Sequence, residues 1–127
     1  MEKITEILLL VFLGITFVQS GLDKIIDWKG NLSFIKSHFA DTFLKNFVPA
    51  MLGTILLLEL IAGVLSLLGI WELLSQENTT LGYYGAIISC ITLLMLLFGQ
   101  RVAKDYEGAK TIVIYFIPTV FTVFLLQ

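Results

Sequence analysis

Residues Pro49–Trp71, PAMLGTILLLELIAGVLSLLGIW, decide the fold of this chain. The stretch is apolar over the roughly 20 residues that an α-helix needs to cross hydrocarbon at 1.5 Å per residue. It carries a single acid, Glu59, near its middle. A carboxylate at that depth costs about 3 kcal/mol on the insertion scale, so Glu59 must face protein or water rather than acyl chains. Pro49 suits a first helical turn, and Trp71 suits the headgroup boundary.

The rest of the composition agrees. With 57% hydrophobic residues, 14% charged residues and a mean hydropathy of +0.94, a 127-residue chain exposes too much surface to be a soluble domain. The reading is an all-α integral membrane protein, one transmembrane domain over residues 1–127. The formal charge of −2 says little, because the distribution of charge across the bilayer matters more than its sum. A lone cysteine, Cys90, excludes an internal disulfide or CxxC redox pair and reads as a small packing residue. A lone histidine, His38, excludes a bis-histidine haem. The sequence has no glycine-rich phosphate loop, zinc-ligand cluster or basic nucleic-acid segment, so no metal, no covalently bound cofactor and no nucleic-acid partner is expected.

Outward from Pro49–Trp71, four spans are expected at about residues 4–26, 49–71, 81–99 and 111–126. The first has a charge-free core, Ile7 to Leu22. Lys3, that core and Val18-Gln19-Ser20 would also fit a cleavable signal peptide, a reading weakened by Glu2 and Glu6. Between the first two spans, Leu32, Ile35, Phe39, Phe43 and Phe47 recur at spacings of three and four among lysines and an aspartate. This pattern predicts an amphipathic interfacial helix over 32–47, with His38 at headgroup level. Gly82, Ala86 and Cys90 give the third span a face for close helix packing. Pro118 interrupts the fourth, which carries Thr111, Tyr115, Thr119 and Thr122.

Lys24, Lys29, Lys36, Lys45, Arg101, Lys104 and Lys110 fall on the side of the first and third loops, and only Lys3 on the other. The positive-inside rule makes those loops cytoplasmic and both termini external. Helical rise then brings several polar groups into the cytoplasmic half. Glu59 lies roughly 15 Å below the loop side, with Gln19 nearest its depth on the first helix. Tyr115 lies about 6 Å deep, and Lys24 and Arg101 stand at the rim. With the helices starting level, Lys24 would need a water or a ligand head group to bridge to Glu59. Glu59, Lys24, Gln19, Tyr115 and Arg101 form the candidate ligand or proton site.

Gly21-Leu22-Asp23-Lys24, Glu59 with Ile61-Ala62-Gly63, Leu67-Leu68-Gly69 and the four-span layout together resemble the DoxX-like family over nearly the whole chain. Members often carry an arginine early in the first helix, which this chain lacks. The resemblance implies a multi-pass bacterial inner-membrane protein, often a subunit of redox systems such as thiosulfate:quinone oxidoreductase. It carries over Lys24 and Glu59. A quinone head group would need a hydrogen-bond donor and a proton-exchanging acid, with electrons supplied by a partner. Beside that reading stand a non-catalytic accessory subunit of a larger inner-membrane complex and a small proton-coupled exporter. Besides the lipid bilayer, the expected partners are other membrane subunits or further copies of the chain.

Overall fold

The computed structural model describes residues 3–127, which form α1 (Ile4–Ile26), α2 (Trp28–His38), α3 (Val48–Gln76), α4 (Thr80–Val102) and α5 (Tyr106–Leu126). A single 3-10 turn, Lys45–Phe47, leads into α3. Helices α1, α3, α4 and α5 are each long and apolar enough to cross a membrane, and the shorter α2 lies between the first two of these spans. The exposed residues of α3 include Leu57, Val64, Leu68 and Trp71, and those of α5 include Ile114, Ile117 and Phe124. The interior instead holds Ser66, Ser89, Thr92, Thr119 and Thr122. Apolar outside with hydroxyls inside suits lipid as the solvent. Each of those five hydroxyls donates to the carbonyl four residues back in its own helix, at 2.7–2.8 Å. They are therefore satisfied locally and do not bond one helix to the next.

Several helix ends differ from those expected, because apolar periodicity finds faces while caps set ends. Asp27 accepts from Gly30 N at 3.1 Å, which starts α2 at Trp28; it stops at His38, and residues 39–44 turn instead of extending the helix to 47. Helix α3 runs five residues past Trp71, to Gln76, where Glu77 takes a left-handed conformation with φ 53°. Asp105 accepts from Gly108 N at 2.9 Å and starts α5 at Tyr106, ahead of the expected 111. Glu72, just past the expected end of the second span, lies buried in α3 and accepts from Leu81 N at 2.8 Å, capping α4 from outside that helix.

Helices α1 and α3, α3 and α4, and α4 and α5 pack as neighbours, while α1 and α5 meet over a much smaller area. Helices α3 and α4 touch at the backbone: a Cβ on Gly69 would fall 2.5 Å from Gly82 Cα, and one on Gly85 would fall 2.8 Å from Ser66 N. A core of Leu13, Phe17, Ala62, Ala86 and Leu93 fills the centre.

The register of α1 against α3 positions the site. Gly14 faces Leu67, Val18 faces Gly63 and Gly21 faces Leu60, so each step along α1 is matched by an equal step back along α3. This antiparallel register sets Ile26 level with Ile55. About seven residues at the start of α3 therefore project beyond the end of α1, roughly 10 Å of helix. Helix α2 turns back over that projection, with the Trp28 ring 3.9 Å from the point a Cβ on Gly53 would occupy.

Candidate functional site

The stagger answers whether Lys24 can reach Glu59. With level helix starts it would need a bridge; with α3 raised, Lys24 stands level with Leu57, about 3 Å above Glu59. Lysine side chains in a helix lean toward its N-terminus, here deeper into the membrane. Lys24 Nζ accordingly lies 2.7 Å from Glu59 Oε1 and 2.9 Å from Ser20 Oγ, one turn below it. Ser20 Oγ donates to Glu59 Oε2 at 2.6 Å. The Glu59 side chain is 4% exposed and that of Lys24 16%, so the pair is largely out of water. Lys24 holds Oε1 by charge, but the contact lies outside hydrogen-bond alignment, and Oε1 is left without an aligned donor.

Glu59 opens onto a cavity of about 370 Å³ at the loosely packed seam of α1 and α5. Its polar wall is Gln19, Ser20, Asp23, Glu59 and Tyr115, and Leu96 of α4 stands among the apolar residues opposite. Tyr115 is partly exposed and stacks on Phe12, with ring centroids 6.1 Å apart. The cavity thus gathers Glu59, Gln19 and Tyr115, while Lys24 meets Glu59 from the side. Arg101 is elsewhere: it is exposed, with its guanidinium 5.4 Å from the Tyr106 ring centroid.

Ser20 was the residue missed. Depth alone selects Gln19, but a ligand to Glu59 must also lie on the correct face. Ser20 and Lys24 are four residues apart and share a stripe of α1, whereas Gln19 is rotated about 100° from Ser20. The Ser-x-x-x-Lys spacing was the available signal.

His38 is also more than a headgroup-level polar residue. Its Nε2 lies 2.7 Å from Gln100 Oε1 and 3.7 Å from Asp105 Oδ2. Its ring stacks on Phe34 at 5.7 Å and meets Phe39 edge-on at 5.2 Å. The contacts with Gln100 and Asp105 tie α2 to the end of α4 and to the loop that follows it. Among the described residues, no three His, Cys, Asp or Glu side chains gather as a metal-ligand set.

No family model matches the chain, and comparison with curated proteins and with solved structures returns no match.

Proposed function

We propose that this chain is a DoxX-like integral subunit of a redox-linked complex in a bacterial inner membrane, with Glu59 exchanging protons with a quinone head group. The observation that carries the reading is a buried, charge-paired carboxylate facing a cavity inside a membrane-crossing bundle. A buried ion pair is weak evidence for stability, since desolvation offsets much of its attraction, and ionisable groups within spans mark functional sites by default.

The residues present suit such a group. The Gln19 amide and Tyr115 hydroxyl are donors on the cavity wall that Glu59 also lines. A quinone, when bound, accepts electrons and protons in matched number; the electrons would come from a partner protein. Ser20 and Lys24 hold the Glu59 carboxylate in place and balance its charge.

Titration of the purified protein with a short-chain quinone tests the proposal. Saturable binding is expected, weakened in Glu59→Gln. Absence of binding, or equal binding by the variant, overturns it. The same ion pair also joins α1 to α3, which favours a second reading, a non-catalytic accessory subunit. That reading expects Glu59→Gln to reduce recovery of a copurifying complex without any quinone effect.

The excess of lysine and arginine on the α2 side supports the reading that this face is cytoplasmic and both termini are outside. In a Cys90→Ala background, a membrane-impermeant maleimide applied to intact spheroplasts is expected to label Gln76→Cys and spare Lys104→Cys. The reverse pattern would invert the orientation.

A further inference from the structure

A second cavity, of about 650 Å³, lies beneath α2, between the projecting start of α3 and the end of α4. It does not include Glu59, and its volume falls within the range of small-molecule sites. Phe34, Phe39, Met51 and Met95 are among its largely apolar walls. Its polar groups include His38, Gln100 and Asp105, drawn from α2, α4 and the loop that follows.

The chemistry of that polar end selects a head group. Gln100 Oε1 is engaged by His38, and its amide Nε2, a donor, lies beside Asp105 Oδ2 where both border Gly108. Asp105 Oδ1 accepts from Gly108 N, and Oδ2 lies on the His38 side. The end of the cavity therefore offers a donor and an anionic acceptor together. A phosphate or carboxylate head would meet Asp105 as a like charge. A carbonyl head could use the donor but would bring no donor to Asp105 Oδ2, which among the described residues has only His38 Nε2, at 3.7 Å, as an ion-pair partner. A hydroxyl both accepts and donates, and so matches both groups.

We infer that the cavity under α2 binds a neutral lipid alcohol, its hydroxyl between Gln100 and Asp105 and its apolar body along Met51 and Met95. Helix α2 forms the roof, and the contact of His38 with Gln100 holds that roof over the ligand. Binding here is independent of Glu59 and of the quinone reading.

The test uses the full chain purified in detergent and a diazirine-bearing octadecanol as probe. Labelling is expected in peptides of α2 and α4, competed by hexadecanol. Hexadecanoate and phosphatidylglycerol are expected to compete about tenfold more weakly, the scale of one lost charge-assisted hydrogen bond. Ala50→Trp and Met95→Trp, which fill the cavity from opposite helices, should each abolish labelling. Gln100→Leu should weaken it about tenfold. Equal competition by hexadecanoate or phosphatidylglycerol, or full labelling in either tryptophan variant that elutes as a folded monodisperse species, overturns the assignment.

Discussion

Removing Lys24 gives the sharpest test of the buried pair. At 2.7 Å and an effective dielectric constant near 20, the Lys24–Glu59 attraction is about 6 kcal/mol before desolvation. Lys24→Met keeps an unbranched apolar stem, one atom shorter, but leaves Glu59, 4% exposed, with Ser20 alone. Truncating one partner of a buried pair costs about 3–5 kcal/mol, mostly through the charge left behind. Glu59→Gln is milder, about 1–2 kcal/mol, because the longer Lys24 can swing its ammonium to the interface. The double variant leaves neither charge, so it should be at least about 2 kcal/mol more stable than the sum of the two losses predicts. Unfolding in mixed micelles by increasing SDS, followed by tryptophan fluorescence, measures all four proteins. Losses that add to within about 0.5 kcal/mol would refute coupling between Lys24 and Glu59.

Other substitutions probe the packing and caps. Gly69→Val places a side chain where Gly82 Cα already lies 2.5 Å from a Cβ, and should lower stability by about 3 kcal/mol in the same assay. Gly53→Ala, whose nearest neighbour is the Trp28 ring at 3.9 Å, should be neutral or stabilising by up to about 1 kcal/mol. Glu72→Ala removes the acceptor for Leu81 N and should cost about 1 kcal/mol, with faster hydrogen exchange confined to the first turn of α4. Ser20→Ala removes the donor 2.6 Å from Glu59 Oε2 and should cost about 1–3 kcal/mol, while Gln19→Ala, at the cavity wall, should leave stability nearly unchanged.

Much of the architecture can be read from residue order because lipid imposes it. An apolar run of bilayer length such as Pro49–Trp71 has few alternatives to a helix, and the lysines and aspartate between the first two spans bar a further crossing. The site was only partly legible. Glu59 stands out as an acid in an apolar run, but its partner depends on the offset between two helices, which neither helix encodes alone. That offset comes from pairwise contacts, Gly14 with Leu67 and Gly63 with Val18, where small residues admit large ones. Asp27 and Asp105 look like ordinary loop acids until their distances to Gly30 N and Gly108 N show them to be caps. His38 is 62 positions from Gln100, too far for any local pattern to join them.

The stagger of α3 has a consequence for proton traffic. Counted along α3, Glu59 lies well inside a long helix; counted along α1, whose 23 residues fit one bilayer thickness, it stands level with Leu22. That is about 10 Å from the middle of α1 and only some 5 Å inside the hydrocarbon boundary. The carboxylate is thus a harbour on one shore. On the proposed reading, a proton taken up there would come from, and return to, the compartment facing α2, with some 25 Å of apolar helix closing the far route. Such exchange would move no net charge across the membrane, so a potential imposed across liposomes should leave it unchanged.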